Sequence, residues 1–214
     1  MTERSATTVE RVISHRKVEL LMLGVLGVAA VSFATTGDRV NWILEEVVVL
    51  VAVPVVWWFS ARHEITGVLA VAAVLQMLVI THGAHTTYEH AQLGEWLGST
   101  LGISRNPWDR VGHLFQGIVP ALAAREVLRR HAGLQAGPLV AFLSISVAMC
   151  IAALYEIIEM ILGLIGSEAT RDFVDTNGDL LDPQWDMTMA LIGSLVAVVV
   201  LARWQERQLA KPAL

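Results

Sequence analysis

The sequence predicts an all-α fold, a polytopic membrane bundle of about six transmembrane helices with both termini in the cytoplasm. Three observations carry this expectation. Of the 214 residues, 55% are hydrophobic and only 16% charged, too apolar for an ordinary soluble domain of this length. Apolar stretches of about 18 to 22 residues recur, the length a helix rising 1.5 Å per residue needs to cross a hydrocarbon core of about 30 Å. Once those stretches are taken as spans, the basic residues fall on one side.

The spans fall at residues 18–36, 41–60, 65–88, 108–128, 138–162 and 185–203. They divide the chain into a cytoplasmic segment 1–17, a single transmembrane domain 18–204 and a cytoplasmic tail 205–214. The first span follows Arg4, Arg11, Arg16 and Lys17 and contains Ser32-Phe33-Ala34, a pattern that a cleaved signal peptide also shows. The long charged lead favours an uncleaved first helix. The two longest connections, 89–107 and 163–184, are rich in Gly, Asp, Ser and Asn and lack the apolar residues for cores of their own. They are expected to be ordered caps. Leu93, Trp96, Leu97, Leu101 and Ile103 give the first a partly helical apolar face, as for a short helix lying in the interface. Cys150, the single cysteine, sits in an apolar run and reads as a packing residue.

Orientation follows from Lys and Arg. One side collects Arg4, Arg11, Arg16, Lys17, Arg62, Arg125, Arg129, Arg130, Arg203, Arg207 and Lys211, against Arg39, Arg105, Arg110 and Arg171 on the other. Loops rich in basic residues stay in the cytoplasm, so both termini are expected there. All of the tryptophans lie near proposed span ends, where aromatic belts form.

The acids and histidines are a separate observation, and they gather at the opposite, extracytoplasmic helix ends. Glu45 and Glu46 lie on the second span, and His82, His85, Tyr88, Glu89 and His90 end the third. Asp109 and His113 open the fourth; Tyr155, Glu156 and Glu159 approach the same level on the fifth. Asp175, Asp179 and Asp182 follow in the loop, and Asp186 opens the sixth. Residues three or four apart share a helix face. His82, His85 and Glu89 thus form one row, Asp109 and His113 a second, and Glu156 and Glu159 a third. Ionisable groups in spans are expensive and usually face a bundle interior in partnership with one another. Carboxylates outnumber bases, so a cation is the missing partner. Imidazole with carboxylate suits Zn, Mn or Fe, and bound water then becomes a nucleophile near neutral pH.

Each piece also has an ordinary explanation. Asn106-Pro107-Trp108-Asp109 and Asp182-Pro183-Gln184-Trp185-Asp186 look like helix starts, with a capping residue followed by proline. The helix dipole alone then justifies an acid in the first turn. His15, His63 and His131 read as surface residues, and His90 as an interface residue. Asp175-Thr176-Asn177-Gly178-Asp179 loosely echoes a calcium loop, but its glycine falls at the wrong position, so an acidic turn is the better reading. Glu156 and Glu159 are harder to dismiss because they follow Ile151-Ala152-Ala153-Leu154 inside a long apolar helix.

These stretches resemble the YjdF-like family of bacterial inner-membrane proteins, a family of unknown function. The resemblance runs from about Trp42 onward. It is carried by His82-Gly-Ala-His85-Thr-Thr-Tyr88, by Ser104 through Gly117, by Tyr155-Glu156-Ile-Ile-Glu159, and by Gly178-Asp179 with Asp182 through Met187. Asp109-Arg110-x-x-His113, an acidic pair and an acidic turn entering a last helix with Gly193 are more distantly similar to VanZ-like membrane proteins. That family is associated with resistance to a glycopeptide antibiotic, which implies a role near the cell envelope. Here Glu156-x-x-Glu159 stands where the VanZ-like pattern has a carboxylate pair ending in Gln.

The functional expectation is a metal-dependent hydrolase or transferase of the bacterial inner membrane, acting on a lipid or lipid-linked head group. His82, His85, His113, Glu156, Glu159, Asp179 and Asp186 are the candidate metal ligands. Glu156, Glu159, His113 and Asp109 are the candidate catalytic groups, and Tyr88 and Arg110 the candidate substrate contacts. Membrane lipid is the expected partner, and nucleic acid is not expected. An ion- or proton-coupled transporter or an envelope-stress accessory protein is the alternative. It requires polar groups at mid-membrane, where the sequence offers only Gln76, Ser144 and Ser146.

Overall fold

The computed structural model describes residues 12–165 and 181–209. His15–Thr35 (α1), Arg39–Ser60 (α2), Gly67–Thr86 (α3), Gln92–Leu101 (α4), Trp108–Arg130 (α5) and Pro138–Ile165 (α6) are followed by Asp182–Val196 (α7). This last helix passes through a π-helical turn, Ala197–Leu201, into Ala202–Leu209 (α8). The only strands among the described residues are Val12–Ile13 (β1) and Ile65–Thr66 (β2), paired antiparallel.

Five helices are long and apolar enough to cross a membrane: α1, α2, α3, α6 and the continuous Asp182–Leu209. The exception is α5, whose 23 residues carry Asp109, Arg110, Arg125, Glu126, Arg129 and Arg130. It is nevertheless the centre of the bundle, packed against α3, α6 and α7. Its charges sit in its first and last turns and its middle is apolar, so burial against neighbours replaces lipid as its solvent.

The helices alternate in direction. At one end β1 and β2 bring together the starts of α1 and α3, and His15 Nδ1 lies 2.8 Å from Ser60 Oγ at the end of α2. Arg125 near the end of α5 donates to Gln205 of α8 there, at 3.0 Å. At the other end Arg110 at the start of α5 donates to Asp182 at the start of α7, at 3.1 Å. The expected last span, 185–203, is longer at both ends. Gln205 and Gln208 are fully buried, so the segment expected as a tail begins inside a packed helix.

Local chemistry sets the helix starts. Asp38 caps α2, its Oδ1 accepting from the Val40 and Asn41 N–H groups, each at 3.0 Å. Asn106 Oδ1 accepts from the Trp108 N–H at 3.0 Å where α5 begins, and Pro183 sits in the first turn of α7. The α5–α7 crossing is very close: a Cβ added to Gly117 would lie 1.9 Å from Ala190 O, and one on Gly193 would lie 2.0 Å from Leu114 O. Small residues let backbones approach in this way. Because Gly117 is one turn from His113 and Ala190 one turn from Asp186, this contact draws those two side chains together.

Candidate metal centre and cavity

A cavity of about 430 Å³ opens beside that crossing, at the end of the bundle where α1 and α3 finish. Its polar pole holds Glu45 of α2, Asp109 and His113 of α5, Glu156 and Glu159 of α6, and Asp182 and Asp186 of α7. Its other walls are largely apolar, including Val48, Ile80, Pro120, Ile151 and Met160.

His113 is the hub. Its Nε2 lies 3.5 Å from Asp109 Oδ1 and 4.0 Å from Asp186 Oδ1, and its Nδ1 lies 3.6 Å from Glu156 Oε1. One donor atom each from Asp109, His113 and Asp186 lie within 4.8 Å of one another. His113 Nδ1 is also 2.7 Å from Gln116 Oε1, one helical turn on. With Nδ1–H donating to that oxygen, Nε2 presents its lone pair to the space between Asp109 and Asp186, the orientation in which a metal-binding histidine is held by a second partner. Glu156 Oε1 and Asp186 Oδ1 are buried and accept no hydrogen bond among the described residues. A buried carboxylate oxygen without a donor is costly unless a cation faces it.

At the rim two guanidinium groups converge on Asp182, Arg105 at 2.5 Å and Arg110 at 3.1 Å. Arg110 also stacks over Trp185 at 5.3 Å. Arg105 reaches Asp109 at 3.8 Å. Asp182 is thereby charge-compensated at the rim.

Tyr88 enters the cavity through an unusual turn. Thr87 adopts φ 62°, a region that non-glycine residues rarely occupy, and the chain doubles back after α3. The Tyr88 ring then lies over Gly83, where any Cβ would come within 2.5 Å of it. Burial, and next the nearby Glu45 carboxylate, push the Tyr88 phenol well above its ordinary value, so it stays a neutral O–H donor.

Of the residues expected from sequence, Tyr88, Asp109, His113, Glu156, Glu159 and Asp186 line this one cavity. Asp179 lies outside the described residues, as does the acidic turn at 175–179. His82 and His85 are elsewhere. The His82 ring meets Trp108 edge-on at 5.0 Å and its Nε2 accepts from the Leu93 N–H at 3.4 Å, which ties α4 to α3. His85 Nδ1 lies 3.4 Å from Ser32 Oγ of α1. The reason is helical phase. The cavity face of α3 is Gln76 and Ile80, four apart, and at about 100° per residue His82 sits roughly 200° away from Ile80. The row of histidines is real, but it faces the wrong side. Arg110 is engaged with Asp182 and Trp185 at the rim.

Glu45, Tyr155 and Asp182, expected at the same level but not among the candidate site residues, also line the cavity, and Gln116 joins them. Glu45 was visible as an acid in an apolar span, but nothing distinguished it from Glu46, which turns away and accepts from Thr81 Oγ1 at 2.8 Å. Gln116 was legible in principle, three residues after His113 and hence one turn along its face. Asp182 and Tyr155 stood in the expected layer, but nothing in the sequence separated them from a helix-start acid and a packing aromatic.

Fold and site together define a polytopic helical membrane protein with an acidic, histidine-centred cavity near one end of its bundle. Residues 18–207 match the family described as predicted membrane protein (DUF2238), and the chain belongs to that family. It is also 39% identical, over 172 residues, to the inner membrane protein YjdF of Escherichia coli (strain K12), with 80% of this chain and 82% of that relative covered. The protein is a multi-pass protein of the bacterial inner membrane. No solved structure matches it.

Proposed function

We propose that the protein is a metal-dependent hydrolase or transferase acting on a lipid or lipid-linked head group at the extracytoplasmic leaflet. In this reading α5 is a sixth span and both termini lie in the cytoplasm, as the distribution of basic residues favours. Asp109, His113 and Asp186 hold a divalent ion, Zn, Mn or Fe. The observation that carries the reading is their convergence: three donor atoms within 4.8 Å, in a pocket where Asp186 Oδ1 has no hydrogen-bond donor among the described residues. Bonds of about 2.0 to 2.2 Å to one ion would draw these donors slightly closer and remove the repulsion between the carboxylates. A divalent ion held there would supply Lewis-acid activation of water near neutral pH. Glu156 and Glu159, which line the same pocket, are placed to accept a proton and to return it to the leaving group. Tyr88 donates to a substrate oxygen.

Transport is less well supported. The interior between the two polar ends is closed by Ile118, Ala121, Leu122, Ala148 and Ala197, all buried, and no chain of ionisable groups crosses that layer among the described residues. Elemental analysis of detergent-purified protein tests the metal. About one equivalent of a transition metal is expected, lost in His113→Ala and Asp186→Asn; metal-free wild-type protein, or unchanged occupancy in both variants, refutes it.

A further inference from the structure

The cavity is not sealed from the sides of the bundle. Among the described residues, α2 packs against α1 and α3, while α6 packs against α5, α7 and the π-helical turn; α2 and α6 share no extended contact. The cavity lies between them. Val48 on α2 and Ile151 and Met160 on α6 line it and are 38%, 41% and 53% exposed. Cavity-lining residues this exposed, on two helices that share no extended contact, mark an opening, and at this depth the exterior of a bundle of apolar helices is hydrocarbon.

The opening is long in the right direction. Along α5 the cavity wall runs from Asp109 to Pro120, a rise of about 16 Å at 1.5 Å per residue and roughly half of a 30 Å hydrocarbon core. Its acids collect at the Asp109 end, and the Pro120 end is lined chiefly by apolar side chains. We infer that the gap between α2 and α6 is a lateral portal through which one hydrocarbon chain of a membrane amphiphile enters, lying along α5 with its head group in the acidic layer. A water-soluble ligand would gain nothing from an apolar slot open to lipid, whereas a bilayer chain reaches it without leaving hydrocarbon. The inference rests on the head-group reading above and adds the class of substrate, a chain-bearing lipid, and its route.

Photolabelling tests it. Wild-type protein in nanodiscs of phosphatidylglycerol carrying a diazirine in one acyl chain is irradiated, and labelled positions are mapped by mass spectrometry. Gln116 and Pro120 on the central helix α5 are expected to be labelled, and Ile151→Trp should abolish that label. Ile157→Trp, at an exposed position of the same helix that does not line the cavity, should leave it unchanged. Label confined to the outward faces of α2 and α6, or interior label indifferent to Ile151→Trp, overturns the portal. Metal content is measured on the same preparation. Interior labelling of metal-free protein would retain the portal and sink the metal reading, so the two fail separately.

Discussion

The two ends of the bundle bury comparable numbers of polar groups and treat them in opposite ways. At the end where α5 finishes, Glu126 accepts from the Thr66 N–H at 3.0 Å, from Thr66 Oγ1 at 2.6 Å, from Gln205 Nε2 at 3.3 Å and from Arg130 at 3.2 Å. Arg125 donates to Gln205 at 3.0 Å and to Glu206 at 2.6 Å, and Arg129 reaches Glu206 and Leu134 O. Acids and bases alternate, and the described side chains leave one orphan, a nitrogen of Arg130. At the cavity end acids are in surplus and Glu46 Oε2, Glu156 Oε1 and Asp186 Oδ1 lack donors among the described residues. A saturated network holds helices in register. An unsaturated one costs stability, and such violations are characteristic of functional sites.

The contrast is broken most directly by removing one acid from each end. Glu126→Ala would strand the Thr66 N–H and take the buried carboxylate from Gln205 and Arg130, leaving them Leu122 O and Glu64, and a cost of about 3 to 5 kcal/mol is expected for breaking one side of a buried charged network. Asp186→Asn or Glu156→Gln in metal-free protein should cost little or raise stability, because a repelling charge is removed and the volume kept. Thermal unfolding in detergent measures both. A cavity-end variant as unstable as Glu126→Ala would erase the distinction between the ends.

Next in size is the helix crossing that assembles the site. Gly117→Ala places a methyl group 1.9 Å from Ala190 O, and α5 and α7 must separate, at a cost of about 1 to 3 kcal/mol for overpacking. His113 and Asp186 separate with them, so metal affinity should fall while the saturated end stays intact. Retention of wild-type affinity would show that the α5–α7 approach does not set the donor spacing.

The helical bundle was largely legible because hydropathy depends on local sequence, and five of the spans stand out by apolarity alone. The charged α5 followed only from its length and alternation. The site was half legible. Asp109, His113 and Asp186 could be placed near one level because each lies within the first turns of its helix, and Glu156 with Glu159 because acids are rare in so apolar a run. What could not be read was helical phase about an unknown neighbour. That is why the His82 and His85 row was assigned to the cavity and Glu45 was not. The Tyr88 position depends on the positive φ of Thr87, and a threonine gives no notice of it.

Tyr88→Phe is a smaller perturbation. The ring keeps its seat over Gly83 and only the O–H is lost, so stability should change by about 1 kcal/mol or less. Metal content should be that of the wild type. In turnover of a lipid substrate the rate should fall with metal retained; unchanged turnover would remove Tyr88 from the substrate contacts.

The smallest effect is expected at the histidines that the sequence placed in the cavity. His85 Nδ1 is 3.4 Å from Ser32 Oγ, a hydroxyl that already accepts from Trp42 Nε1 at 2.9 Å, so the α1–α2 contact survives without the imidazole. His85→Ala should therefore cost about 1 kcal/mol, a single neutral hydrogen bond with little cavity formed. Metal content should not change, because α3 turns Gln76 and Ile80, not His85, toward the cavity. His113→Ala should abolish metal binding, since it removes the only imidazole at the polar pole among the described residues. The pair isolates helical phase as a variable: both residues are histidines near the same bundle end, and they differ in which way the helix aims them. Loss of metal in His85→Ala at unchanged thermal stability would mean that α3 is rotated from the orientation described, bringing the histidine row to the acids and restoring the ligand set expected from spacing alone.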